Sequence, residues 1–330
     1  MKKSLLALAV LGAFAGAASA QSSVTIYGLV DMAIAKSNGG ASGNNGGPAG
    51  ASKAWTMQQS SSSRLGFRGN EDLGGGLSAQ FQIEHRFFPD DGSAANPFWA
   101  GRSFVQLTSA SAGSVYLGRE YTPAFWPAVK SDPFGWDGVG QIGTLHWGGY
   151  TTPPNPFGGV RSSNTVGYRS PNMGGLTVNA AVGLSETTNA GRMMGFNVEY
   201  GGGPLYAAMG FEKINDGAFD GRGVTNFALH YDMGFMKAIG YFAKAKIGTN
   251  GDVGSKVISL GATAPIGPGK LKAHYTKVTP DDPNPDTKKF AIGYDYPLSK
   301  RTNVYADYGN TKVENLDKNN TFAFGLKHVF

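Results

Sequence analysis

The sequence predicts an all-β fold, a 16-stranded antiparallel transmembrane β-barrel with a long third loop folded into the lumen. Three observations predict it. From Val24 onward, stretches of about ten alternating residues recur, joined in turn by short glycine-rich turns and longer polar loops. The chain ends on Thr321-Phe-Ala-Phe-Gly-Leu-Lys-His-Val-Phe330, an amphipathic strand with a free aromatic end. Such a strand is an exposed edge unless it pairs with the first strand of a closed barrel. The chain opens with Lys2 and Lys3, an apolar core over residues 5–17 and Ala18-Ser19-Ala20, the pattern of a secretory signal. Residues 1–20 are therefore expected to be cleaved, and residues 21–330 to form one barrel domain. The apolar core is too short for a membrane anchor.

The strand count follows from the connections. Seven short turns are expected at residues 70–76, 109–113, 171–175, 201–204, 232–235, 265–269 and 297–300, each with Gly, Asn or Pro. Eight longer connections are centred near residues 37–54, 89–100, 121–162, 185–193, 214–223, 248–255, 279–287 and 310–319. Seven turns and eight loops join sixteen strands, and an even number puts both termini on the short-turn side. No residue run after the signal approaches the length of an apolar membrane helix.

The faces sort by alternation. Leu77, Ala79, Phe81, Ile83 and Phe87 share one face with His85, while Ser78, Gln80, Gln82, Glu84 and Arg86 take the other. Phe290, Ile292, Tyr294 and Tyr296 likewise oppose Lys289, Ala291, Gly293 and Asp295. Alternation alone fits a soluble two-sheet sandwich as well as a barrel. Aromatics near strand ends (Tyr200, Tyr231, Tyr294, Tyr296, Tyr308, Phe330) favour a lipid interface. By the same parity Lys244, Lys246, Lys270, Lys272 and Lys289 are expected in the lumen, opposed by Asp31, Glu84, Glu199, Asp295 and Asp307.

Composition excludes several classes of function. There are no cysteines, hence no disulfides and no thiol chemistry. The formal charge of +6 carries no Lys/Arg run, so nucleic acid is not an expected partner. No phosphate loop and no zinc spacing occur, and the carboxylates at residues 281–286 lack the spaced ligands of a calcium loop. No cofactor or metal is expected. The five histidines accompany no serine motif, so an enzyme is not expected either.

The third connection stands out. It holds Phe125, Trp126, Phe134, Trp136, Trp147, Tyr150 and Phe157, with prolines at 123, 127, 133, 153, 154 and 156. A long loop so rich in aromatics should pack on something, and in a wide barrel that surface is the inner wall.

Several segments carry a family resemblance: Arg64-Leu-Gly-Phe-Arg-Gly-Asn-Glu-Asp-Leu-Gly74, Gly118-Arg-Glu-Tyr-Thr122, Asp132-Pro-Phe-Gly135, Asn164-Thr-Val-Gly-Tyr-Arg-Ser-Pro171 and the terminal Phe330. Together they resemble the general diffusion porins of Gram-negative bacteria, and most nearly those of beta-proteobacteria. The resemblance implies a homotrimer in the outer membrane, termini on the periplasmic side, in contact with lipid and lipopolysaccharide. It implies that the barrel-assembly machinery reads Phe330. It also implies an arginine ladder, carried onto Arg64, Arg119 and Arg169, facing acidic groups on the third loop. Parity places Arg64 and Arg169 inward, but Arg119 shares the parity of Val115 and Leu117 and turns inward only if the strand bulges near Gly118. Arg68, Arg86 and Arg102 have inward parity on their own evidence.

The loop sequence Ser131-Asp-Pro-Phe-Gly-Trp-Asp137 departs from the enterobacterial pattern Pro-Glu-Phe-Gly-Gly-Asp, leaving Asp132 and Asp137 as its acids. Several guanidiniums facing few carboxylates leave positive potential at the narrowest point. The expected function is a passive water-filled channel for small hydrophilic solutes, anionic or neutral, with an anion preference. The alternative is a substrate-specific channel for sugars or organic acids that uses the aromatic loop.

Overall fold

In the computed structural model, residues 23–41, 53–143, 160–186, 191–247, 253–281 and 285–330 are described. The expected signal segment lies outside them, as do residues 42–52 of the first loop and residues 144–159 of the third, with Trp147, Tyr150 and Phe157.

Sixteen long strands form the wall. They are β1 (Ser23–Ser37), β2 (Arg64–Gly74), β3 (Leu77–Phe88), β4 (Ser103–Ser109), β5 (Gly113–Tyr121), β6 (Arg161–Arg169), β7 (Leu176–Gly183) and β8 (Arg192–Gly202). The second half continues with β9 (Leu205–Asn215), β10 (Gly223–Asp232), β11 (Lys237–Ile247), β12 (Val253–Ile266), β13 (Gly269–Pro280), β14 (Thr287–Pro297), β15 (Thr302–Val313) and β16 (Asn319–Val329). Each pairs antiparallel with its sequence neighbour. Two short extra strands, Trp55–Gln58 and Ser93–Ala94, pair with β1 and β3.

The last strand closes on the first. Residues 321–329 pair with residues 29–37, and Phe330 exchanges both backbone hydrogen bonds with Gly28 at 3.0 Å. Phe322, Phe324, Leu326 and Phe330 all point outward and are exposed. Deleting Phe330 removes that final hydrogen-bonded pair and one apolar outward side chain. The expected result is a several-fold lower yield of folded barrel in the membrane, measured as the heat-modifiable band, with near-normal conductance in the barrels that insert.

The short turns fall where the glycines are. Gly113 begins β5 at φ +86°, a conformation open to glycine, and a Cβ there would overlap the carbonyl of Arg169. The second loop folds back as a hairpin of residues 93–94 on residues 87–88. Beyond it His85 stacks on Phe98 with ring centroids 4.0 Å apart, and Trp99 meets Phe98 edge-on.

Strand β2 does not run the full height of the wall. Its upper continuation, Trp55–Gln58, is separated from it by residues 59–63, four of them serines. Ser60 N–H donates to Asp31 Oδ1 (2.9 Å) and Ser63 N–H to Gln59 Oε1 (2.7 Å). The gap is thus satisfied by side chains instead of by a ladder.

Parity holds along most of the wall and fails on β11. There Ile239, Tyr241, Ala243 and Ala245 are buried, while Phe242, Lys244 and Lys246 are exposed. The expectation of lumenal Lys244 and Lys246 is therefore corrected: they share the outward face of Phe242. The inner face is apolar because the third loop covers it.

Candidate pore constriction

The third loop is a packed element with its own core. It enters through Thr122 and Pro123 and forms a short helix, α1 (Phe125–Lys130). Ala124, Phe125, Ala128 and Ile142 are buried against Ala208, Val224, Ala228, Tyr241, Ala243, Ala245, Val257 and Val278 from five consecutive strands, β9–β13. Tyr121 stacks on Phe125 at 4.9 Å and Trp136 meets it edge-on at 5.1 Å. Burying one side chain the size of Phe125 stabilises the docked loop by about 2 kcal/mol.

Polar anchors fix where it docks. Asn197 Nδ2–H donates to Pro123 O and Asn226 Nδ2–H to Ala124 O, both at 2.8 Å. Ser131 Oγ lies 3.0 Å from His230 Nε2, and Lys289 Nζ donates to Gln141 O at 2.6 Å. Lys130 pairs with Glu199. At the far side Gly138 N–H donates to Ser60 O (3.1 Å), and Ser61 Oγ–H donates to Asp137. The serine gap in the wall is thus the seat of the loop tip.

Both loop acids are engaged. Asp132 is buried, and its carboxylate accepts the N–H groups of Phe134 (2.9 Å), Ile142 (2.9 Å) and Trp136 (3.2 Å). It knits the tip of the loop together and does not face the arginines, which corrects the expectation that it forms an acidic wall. The sequence shows its proximity to the tip but not its inward rotation. Asp137 holds Ser61 and lies near Lys327 and Arg64.

Burial pushes the Asp132 carboxyl up to about 6 and raises that of Asp137 above the usual carboxylate range. A raised carboxyl loses its negative charge earlier on acidification. Anion preference is therefore expected to rise as pH falls from 7 towards 5, measured as reversal potential across a salt gradient. A fall in anion preference over that range would contradict this.

The opposite inner wall carries the arginines. Arg64 and Arg86 are direct cross-strand partners, and Arg86 Nη2 pairs with Glu84 Oε1 at 2.7 Å. Both donate to Ser62 O at 3.1 Å. Arg68 lies over the Tyr27 ring at 5.4 Å.

Farther round, Arg102 holds Glu120 through Nε (2.7 Å) and Nη2 (2.5 Å), and Arg169 Nη2 reaches the same carboxylate at 2.8 Å. Arg169 also lies 4.2 Å from the Tyr116 ring centroid. Tyr116 can lie there because Gly167 opposite has no Cβ, which would overlap the ring.

Arg119 does not join this group. Its guanidinium donates to Ala100 O (3.3 Å) and Ser163 Oγ (2.9 Å). The pairing shifts register between Gly118 and Glu120, but the extra residue lies on the β6 side, where Asn164 has φ +54°. Alternation along β5 therefore continues unbroken, and Glu120, not Arg119, follows Tyr116 to the inside. Glu120 is a candidate site residue that the sequence reading missed. The signal was present, since it has the parity of Ser114 and Tyr116.

Four guanidiniums (Arg64, Arg86, Arg102, Arg169) therefore share two carboxylates, Glu84 and Glu120, on this stretch of wall. On the short-turn side of the loop tip, a recess of about 340 Å³ gathers Lys130, Lys237, Lys270, Lys272 and Lys327 with Asp132, Asp137 and Asp295. Lys272 is held by Asp295 (2.8 Å) and Asp307 (3.2 Å). Lys289, also expected to add free lumenal charge, is committed to the loop carbonyl.

A closed barrel with an inward-docked loop and a basic inner wall invites comparison with channels of the same build. A family model described as Gram-negative porin matches residues 7–316. Outer membrane porin protein 32 of Delftia acidovorans is 36% identical over 321 residues, covering 93% of this chain and 88% of that protein. An outer membrane porin of Bordetella pertussis is 28% identical over 393 residues, with both chains covered in full. The solved anion-selective porin from Comamonas acidovorans superimposes with a TM-score of 0.81 at 27% identity, over 94% of this chain and 100% of that one. The chain belongs to the Gram-negative porin family.

Proposed function

We propose that this porin is a passive, water-filled outer-membrane channel for small hydrophilic solutes that prefers anions. The observation that carries the reading is the charge imbalance opposite the third loop: four guanidiniums against two wall carboxylates, with Asp132 turned into the loop and Asp137, near Arg64, holding Ser61. Low-dielectric walls focus that field on the water between them. In this reading Arg64, Arg86, Arg102 and Arg169 set the constriction, Arg68 lines its approach, and Glu84 and Glu120 moderate it. Arg119 supports the wall. An anion-selective porin with the same fold adds weight to the preference.

The mature chain begins at Gln21 and works as a homotrimer whose second loop, with exposed Phe98 and Trp99, reaches a neighbouring barrel. Its termini face the periplasm, and Phe330 is the signal for assembly.

Reversal potential in a potassium chloride gradient tests the reading. Arg64→Ala and Arg169→Ala should each reduce the anion-to-cation permeability ratio by up to about tenfold before salt screening, since a unit charge some 6 Å from an ion in water is worth about 0.7 kcal/mol and acts with opposite sign on anion and cation. A wild-type cation preference would defeat it.

A second reading has one observation behind it. A recess of about 370 Å³ joins Arg102, Arg169, Trp126, Asn179, Asn197 and Glu199, a set able to hold a carboxylate beside an aromatic ring. Saturable block of the current by one organic acid would favour a substrate-specific channel; flux that scales only with solute size would favour the general pore.

A further inference from the structure

Three inward tyrosines share one construction. Tyr27 stands directly across from Gly66 on β2, Tyr116 from Gly167 on β6, and Tyr305 from Gly325 on β16. In each pair a Cβ on the glycine would overlap the tyrosine ring. The ring therefore lies flat over the bare glycine instead of standing into the bore. Each hydroxyl is tied down at its far end. Tyr27 Oη–H donates to Glu84 Oε2 (3.2 Å), Tyr116 Oη–H to Asn179 Oδ1 (3.2 Å) and Tyr305 Oη–H to Asp31 Oδ1 (2.6 Å). A cation lies over each ring: Arg68 at 5.4 Å from the Tyr27 centroid, Arg169 at 4.2 Å from that of Tyr116, and Lys272 at 5.9 Å from that of Tyr305.

The three cations differ in their counter-charge. Arg169 reaches Glu120, and Lys272 is held by Asp295 and Asp307. Arg68 is exposed and, among the described residues, forms no ion pair with a carboxylate. An acid is nevertheless close. Across β2 and β3, Arg68 pairs with Gln82 and Gly66 with Glu84, so Arg68 and Glu84 are diagonal neighbours on the inner face. Such neighbours are about 7–8 Å apart, within reach of a long side chain. The Tyr27 ring covers Gly66, the position next to Arg68 that faces Glu84. Its hydroxyl takes Glu84 Oε2 while Arg86 takes Oε1, and Gln82 Nε2–H donates to Tyr27 Oη at 2.6 Å.

We infer that Tyr27 is a positioning residue for the anion preference: its ring holds the Arg68 guanidinium over the lumen and bars it from Glu84. The inference rests on the channel reading above. A carboxylate that fixes a guanidinium also cancels its field. An aromatic ring fixes it through its quadrupole and leaves the whole charge facing the water. Arg68 therefore adds an uncancelled charge beside the cluster of Arg64, Arg86 and Glu84. Without the ring, Arg68 would fold down onto Glu84 and its charge would be spent there.

A mutant cycle read by reversal potential in a potassium chloride gradient tests this, with heat-modifiability confirming that each variant is folded. Tyr27→Leu should lower the anion-to-cation ratio by about twofold, the lower end of the two- to fivefold by which a cation–ring contact at a wet site biases a guanidinium. Gly66→Ala alters neither partner but displaces the ring, and it should act in the same direction. Tyr27→Phe keeps the ring and should keep most of the wild-type ratio. In an Arg68→Gln background, Tyr27→Leu should change nothing further. In detergent micelles the Arg68 Nε–H resonance, assigned by its loss in Arg68→Gln, should be shifted upfield by the ring in wild type and Tyr27→Phe, and not in Tyr27→Leu.

A wild-type ratio in Tyr27→Leu would overturn the inference, as would an equal further loss in the Arg68→Gln background, which would mark a general disturbance of the wall. A cation preference or absence of current in wild type would overturn the channel reading instead, while the ring shift of Arg68 and its loss in Tyr27→Leu still decide whether the ring holds the guanidinium.

Discussion

Replacing Asp132 by alanine is expected to enlarge and destabilise the conducting pathway. Three backbone N–H groups, of Phe134, Trp136 and Ile142, end on that one carboxylate within a buried turn. Each donor left unsatisfied costs about 1–3 kcal/mol, against which the carboxylate's own desolvation is relieved, so the net loss is of the order of 3 kcal/mol. That exceeds the burial of any single loop side chain. The helix end of the loop should stay seated through Phe125 and Ala128, while the tip leaves its serine seat at Ser60 and Ser61. Single-channel recordings at pH 7.5 should show higher and noisier conductance, with reduced size exclusion for neutral sugars. Asp132→Asn should resemble alanine, because an amide keeps one acceptor and turns a donor towards the N–H groups that met Oδ2. Unchanged conductance and noise would mean that the loop is held without its tip.

The second large effect is expected at Glu120. Its side chain is buried and is held by two guanidiniums, which it also keeps apart. In Glu120→Gln the charge is gone while the shape remains. Breaking a buried charge cluster by removing one partner typically costs about 3–5 kcal/mol, much of it from the charge left behind. Here the guanidiniums have an escape, since both border water, so the lower end of that range applies. The freed Arg169 would turn towards the pore. The expected results are a lower unfolding temperature in detergent and a higher anion-to-cation ratio. Glu120→Gln combined with Arg102→Gln should recover much of the stability, because one guanidinium then has no like neighbour. A shift towards cations would show that Glu120 does not moderate the field.

The barrel was legible in the sequence because closure depends on local, periodic information. Turn glycines, alternation and the terminal aromatic strand each repeat or terminate a two-residue period, and all point to the same count. The two ends of the chain meet as that count requires, with Phe330 against Gly28.

The site was legible only in part, and the failures share a cause. Parity assigns lumen to polar residues on the assumption that the inside is wet. Beneath the third loop it is dry. On β11 the apolar side is therefore the inside, and Lys244 with Lys246 faces outward. Arg119 and Glu120 show the complementary error. The inward turn of Arg119 was made conditional on a bulge near Gly118; a register shift is present there, but which of two paired strands holds the extra residue is a property of the pair. Asp132 could be placed near the constriction from its loop, but its three backbone partners follow from a turn that no short motif announces.

The apolar seat of the third loop has a thermal consequence. Its docking draws on apolar burial against five strands, and that driving force weakens on cooling while the hydrogen-bonded wall does not depend on it in the same way. The aperture is therefore set by a solvent-driven contact inside a rigid frame. The exclusion limit and the mechanical stability of the barrel respond to temperature through separate terms, so a cell in cold water and a cell in a warm one carry the same cylinder with a differently tensioned door.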